Sequence, residues 1–499
     1  MKDRPGPAPG PAPTLTTAKI VFLVVAAVAP MAAVVGTVPL AFALGTGSGV
    51  PAAYALAGVV LLCFAAGYAA MGRHIVSTGG FYAYLRHGLG RVPAVCGAFV
   101  AALAYNAFTC GLIGACAYFT RLALQDLAHI TVPWPLLAAV VLLLVALLGR
   151  RQIDLSARML ALLLGAEMAV LAVLDVAITA HKGASAFPAT SFSPHTATHG
   201  ALGVTLMFAF ISFLGFESAA LYGEEARDPK RSVPRAVYAS VVLIAVFYGL
   251  TSWIAVGGIG PDHLRERSGT ELGSLFFSLN TQYVAQWVTK VMEVAMCTSL
   301  FASTLSVHNA CSRYMYALGR DRVLPVALGT PHRRTAAPSA ASLLQVLLDA
   351  VVVAAFAAAG LHPYLNLATS MLGLGTVGII ALQAAAALSI VVYFRRHRAI
   401  GHWWTGLVAP LLGAAGLLAA LVLVLRNFTT LSGTSSAVVH ALPWLLLVAV
   451  AAGAWRAAWM RSRAVTAYDR LAATDAAGER NAAMEPARPA AGALDGLSA

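Results

Sequence analysis

The sequence predicts an all-α integral membrane protein, and three observations carry that reading. Hydrophobic residues make up 59% of the 499 and charged residues 11%, with a mean hydropathy of +0.78, far above what a water-facing surface of this size could carry. Apolar stretches of about 20 residues, the length needed to cross roughly 30 Å of hydrocarbon, recur along the chain. These stretches are continuous runs of Ala, Leu and Val, without the ten-residue alternation of a membrane barrel.

In order, the stretches lie near 18 to 45, 51 to 72, 93 to 121, 134 to 149, 156 to 180, 200 to 222, 236 to 257, 283 to 316, 338 to 359, 364 to 394, 405 to 425 and 440 to 460. Twelve transmembrane helices are therefore expected, in one membrane domain over 18–460. The Pro-rich start "MKDRPGPAPGPAPT" makes 1–17 a disordered tail, and the Ala-rich polar end makes 461–499 another. No apolar core followed by a small-residue cleavage site precedes the first span, so no cleavable signal is expected.

The net charge of +13 raises the question of a nucleic-acid partner. With both termini cytoplasmic and twelve crossings, 27 of the 33 Lys and Arg residues fall on the cytoplasmic side, leaving Arg121, Lys182, Arg265, Arg267, Lys290 and Arg426 on the other. Membrane orientation accounts for the basicity, and no nucleic-acid partner is expected. The six cysteines all lie inside spans without the paired spacing of a metal site and read as small apolar fillers.

Two spans are interrupted. The first, "VVAAVAPMAAVVGTVPLAFALGTGSG", carries Pro30, Gly36 and Pro39, which interrupt the helix, the two prolines by removing a backbone donor and clashing with the preceding turn. The sixth carries "ISFLGFES", where Ser212 and Gly215 weaken the helix just before Glu217, an acid inside an apolar run. Two units of five helices, about 18–180 and 200–394, followed by extra helices over 405–460, would put these interruptions in corresponding positions of an inverted repeat. Paired interruptions of that kind mark a midplane substrate site. Exposed N–H groups there favour a carboxylate and unwound carbonyls favour an ammonium, so the pair suits a zwitterion.

Three segments carry a family resemblance. "GFESAALYGEEARDPKRSVPRAV", "NACSRYMYALGRDRVLP" and "GYAAMGRHIVSTGGFYAYLRHGLGR" are similar to the signatures of the amino acid–polyamine–organocation (APC) superfamily of permeases. The resemblance implies five plus five inverted helices with helices 1 and 6 broken, two extra helices, and alternating access to a substrate held between the breaks. Carried over, the substrate carboxylate would meet Val34, Val35 and Gly36, and its amine would meet Ile211, Ser212, Leu214 and Gly215. The family's Gly-rich first break is "AVVGT" here, which leaves the register open by about a residue. Asn106, in "AYNAFTCG", matches a pocket-facing region and equally suits an interhelical hydrogen bond.

For coupling, Glu217, with Glu224 two turns on, and Glu167, where proton-coupled relatives carry a lysine, are the candidate proton carriers. Asp175 and Asp349 read as helix ends or packing partners. Adjacent Ser303 and Thr304, with carbonyls near Ala29 and Ala32, could instead form a sodium site, although such hydroxyls often bond back to their own helix. The expected function is import of an amino acid or related amine by proton symport in the cytoplasmic membrane. An exchanger and a sodium symporter are the alternatives. The chain carries no HExxH, GxSxG or nucleotide loop, His74 reads as solvated, and neither enzymatic activity nor a cofactor is expected. The expected partners are the substrate, a proton, the lipid bilayer and, at most, a second copy in a homodimer.

Overall fold

A computed structural model describes residues 15–75, 80–151, 157–217, 219, 226–330, 338–397, 402–432 and 437–469. Among them the chain is helical, with a single isolated bridge between Leu15 and Ala226 in place of any strand. The N-terminal half holds α1 (Thr17–Val28), α2 (Pro30–Leu44), α3 (Val50–Gly72), α4 (Gly80–Leu89), α5 (Arg91–Ala128), α6 (Trp134–Arg151) and α7 (Ala157–Lys182). After the short α8 (Pro194–Thr198) come α9 (Leu202–Phe213), α10 (Pro229–Ile259), α11 (Leu264–Glu271), α12 (Leu275–Tyr283) and α13 (Gln286–Arg320). The chain continues through α14 (Ser339–Ala358), α15 (Thr369–Arg396), α16 (Ala409–Arg426), α17 (Phe428–Ser432), α18 (Ala437–His440) and α19 (Trp444–Arg463).

Eight helices are individually long and apolar enough to cross a membrane, and α1 with α2, bent by 41° at their junction, make a ninth span. A helix stands at each of the three remaining expected positions. However, α6 and α9 are shorter apolar helices and α19 carries Arg456, Arg461 and Arg463, so among the described residues nine spans meet the length and composition of a membrane crossing by themselves.

Helix α5 is central, packing against α13, α15 and α19, while α3 packs on α10 and α16. The layering follows side-chain character: 78% of the most apolar window of 363–396 is buried, against 28% for Ser339–Ala358. The exposed face of that outer helix is Leu344, Leu347, Leu348 and Val351, which suits hydrocarbon.

Both interruptions are present, and one is displaced from its expected place. Ala29, at φ 52° and ψ 80°, separates α1 from α2, and Pro30 opens the second helix. Proline disfavours helical backbone in the residue before it and is pre-set for the first helical position. Val34, Val35 and Gly36, expected to be the break, therefore lie inside continuous α2. The helix 6 break falls where Gly215 stands: α9 ends at Phe213, Leu214 is extended, and Gly215 takes φ 114°, which only glycine adopts readily.

Candidate functional site

The backbone accounting at the first break starts from α2. Its opening turn has Pro30 with no N–H; the Met31 N–H reaches the Glu167 carboxylate at 3.4 Å, and the Ala33 N–H returns to the Ala29 carbonyl at 2.9 Å. Among the described residues no acceptor takes the Ala32 N–H, one of the orphan donors of a helix start. At the second break the Leu214 N–H pairs with the Ile211 carbonyl, and the Gly215 N–H is taken by Glu217 Oε2 at 3.0 Å. Each break is thus capped by a glutamate, Glu167 from α7 and Glu217 from two residues downstream.

A cavity of about 400 Å³ touches both breaks, lined by Ala32 and Gly36 on α2 and by Ile211, Leu214 and Gly215 at the end of α9. From there it follows α13 from Leu300 to Arg320, 20 residues or about 30 Å of helix. It therefore reaches the bundle end where α13 finishes and α4 begins, and Arg313, Arg320 and Gly80 line it there. The other end is closed. The Tyr364 hydroxyl donates to the Gly36 carbonyl at 2.9 Å, and its ring stacks on Tyr118 with centroids 4.7 Å apart and planes within 6°. Beyond it, Arg265 donates to the Gly45 carbonyl at 3.0 Å and the Thr46 N–H donates to Thr205 Oγ1 at 2.8 Å.

The expected site residues divide. Gly36, Ile211, Leu214, Gly215, Glu217, Ala32 and Ser303 line the cavity. Val34 and Val35 are fully buried on α2 and outside the lining. Ser212 donates to the Phe208 carbonyl and sits 2.9 Å from the Tyr54 hydroxyl and 3.1 Å from Thr37 Oγ1, a hydroxyl triangle fastening α9 to α2 and α3. Asn106 bonds the Ala102 carbonyl and Cys311 Sγ, so of its two readings the interhelical one fits. Thr304 donates to its own helix at Leu300 O, and the Ala29 carbonyl is occupied by Ala33. Glu167 lies behind the break, holding Met31 N–H and the Ser299 hydroxyl. Glu224 lies outside the described residues. His74, expected to be solvated, is half-buried with its ring edge-on to Phe394, because the turn after α3 folds against the end of α15.

Sequence reading missed three aromatic contributors. Tyr105 donates to Glu217 Oε1 at 3.1 Å, Tyr68 donates to the Glu217 carbonyl at 3.3 Å, and Tyr364 closes the far end. It also ended the eighth span at 316, and continuing the helical period past that residue would have found Arg320, seven residues beyond Arg313 and on the same face.

The comparisons with known proteins agree with this architecture. A chloroplastic cationic amino acid transporter of Arabidopsis thaliana is 26% identical over 193 residues, which is 39% of this chain and 30% of that one. A branched-chain amino acid permease of Lactococcus lactis is 27% identical over 191 residues, 38% of this chain and 40% of the other. An uncharacterized transporter of Mycobacterium tuberculosis is 28% identical over 356 residues, 70% of this chain and 73% of its own length. The chain thus spans under half the length of the plant and lactococcal relatives. These relatives are transporters and permeases, not enzymes. A family model described as amino acid permease matches residues 15–452, a range that takes in both capped breaks and the cavity between them, and the chain belongs to that family.

Proposed function

We propose that the protein is a proton-coupled importer of an amino acid with a neutral, apolar side chain, working by alternating access in the cytoplasmic membrane and held here open to the cytoplasm. The observation that carries the reading is the one-sided cavity: it joins both interrupted backbones and reaches only the bundle end where Arg313 and Arg320 stand. The excess of Lys and Arg at that end supports its assignment as cytoplasmic, and with it both termini. The Ala32 N–H at the positive end of α2 suits the substrate carboxylate, and the carbonyls at the end of α9 suit the ammonium.

Relatives bear both cationic and branched-chain names. The wall favours the second class. Val28, Phe108, Leu112, Ile211 and Leu300 line the cavity, and Glu217, the acid among the lining residues, already accepts from Gly215 and Tyr105. Glu217 supports proton coupling because it lies at the break, on the cavity, with its two acceptors holding the wall together. Ser303 faces the cavity but Thr304 is turned to its own helix, so the hydroxyl pair of a sodium site is not jointly presented.

Reconstitution in liposomes tests this. Uptake of a branched-chain amino acid should follow an imposed inward proton gradient, persist without sodium, and need no internal substrate. Uptake that ignores pH yet requires preloaded substrate would establish the exchanger instead.

A further inference from the structure

Away from the cavity, α14 presents a polar stripe to the bundle. Ser342, Gln345 and Asp349 are spaced three and four residues apart and all are almost fully buried, while the opposite face is Leu and Val. The stripe is answered from two helices. His308 Nε2 on α13 lies 2.8 Å from Ser342 Oγ, Ser312 donates to Gln345 Oε1 at 3.0 Å, and Gln345 Nε2 donates to Thr109 of α5 at 3.1 Å.

Three buried atoms in this seam have no hydrogen-bond partner among the described residues: Asp349 Oδ2, His308 Nδ1 and Asn106 Oδ1. Asp349 is 2% exposed. The titratable groups facing it are the thiols of Cys110 on α5 and Cys311 on α13, with His308 farther along α13. The phenol of Tyr364, on the segment before α15 that also touches α14, is committed to Gly36. Helix α6, also packed on α14, has no titratable residue but Arg150 and Arg151 at its end. Among the described residues this intramembrane carboxylate has no cationic partner and one oxygen is unpaired, so nothing there holds its charge.

We propose that Asp349 is an internal proton-binding site, set in the seam between α5, α13 and α14 and separate from the substrate cavity, with His308 as the next titratable group along it. The proton enters from water, converts the carboxylate to the acid, and lets Oδ2 act as donor or acceptor as the seam requires. Helices α5 and α13 also form the cavity wall, through Tyr105 and Phe108 and through Ser303 and Arg313, so a change of charge at Asp349 acts on that wall from behind. The site stands whether or not substrate and proton move together.

Infrared difference spectra of the reconstituted full-length protein between acid and alkaline pH test it. A protonated-carboxyl C=O band should be absent in Asp349→Asn and displaced in Asp349→Glu. If Asp349→Asn does not fold, the displacement in Asp349→Glu decides alone. Spectra of the folded variants that superimpose on the wild type would overturn the proposal.

Discussion

Tyr105 donates its phenol hydrogen to Glu217 Oε1 at 3.1 Å, and the other oxygen of the same carboxylate holds the Gly215 N–H at 3.0 Å. One side chain therefore bridges the central helix to the open backbone of the helix 6 break. A hydrogen bond to a charged group contributes about 1.5 to 3 kcal/mol. Tyr105→Phe should lower the thermal midpoint of the detergent-solubilised protein and reduce uptake several-fold or more, whereas a variant matching the wild type in both would show the contact to be incidental.

Gly215 sits at φ 114°, where a side chain strains the backbone by roughly 1 to 3 kcal/mol. Gly215→Ala should still reach the membrane and lose most of its transport, measured as uptake per unit of folded protein. Retained wild-type uptake would mean that the turn is not part of the working site.

Glu167 holds the Ser299 hydroxyl at 2.9 Å and the Met31 N–H at the start of α2. Glu167→Gln keeps one acceptor oxygen and should stay close to wild type in stability, while Glu167→Ala leaves buried donors unpaired at about 1 to 3 kcal/mol. Thermal unfolding of the two variants side by side checks the order, and equal loss in both would point to charge in place of hydrogen bonding.

The Tyr364 hydroxyl is the bond that ties the closed end to Gly36. Tyr364→Phe removes about 1 kcal/mol of that closure, roughly a fivefold shift in a two-state equilibrium. A thiol introduced at Thr37 on the cavity wall should then react faster with a membrane-impermeant reagent added from outside. No change in rate would assign the closure to the aromatic stack alone.

His74, outside the spans, is pushed below the usual imidazole range, first by burial and then by Lys230, Arg73 and His397. The folded state resists a proton that the unfolded chain accepts near pH ~6.5, so stability is intact above that value and is lost as pH falls through it. His74→Gln should flatten the decline in thermal midpoint between about pH 7 and pH 5.5, and an unchanged slope would assign that decline to other groups.

The helical class was legible because apolar length and continuity are set by the bilayer itself. The helix 6 break was legible because Gly215 precedes an acid that would otherwise be buried without purpose. At the helix 1 break Pro30 was legible as an interruption, whereas Val34, Val35 and Gly36, expected at the opened backbone, lie within α2, which accommodates Gly36, and the backbone is turned by Ala29 ahead of Pro30. Tyr105, Tyr68 and Tyr364 could not be found from spacing, because what recruits them is the position of Glu217 and Gly36 on helices distant in sequence. Ser212 and Asn106 were visible as polar residues in apolar helices, but which helix would answer them is a matter of packing.

The most direct measurement is the sidedness of a single thiol on the cavity wall. In a background without the six native cysteines, Ser303→Cys is treated with an impermeant thiol reagent applied to one face of the membrane at a time, with and without a neutral amino acid. Labelling from the face that carries Arg313 and Arg320, with the substrate slowing it, is the predicted result. Labelling only from the opposite face, or at a rate indifferent to every amino acid, would contradict the account.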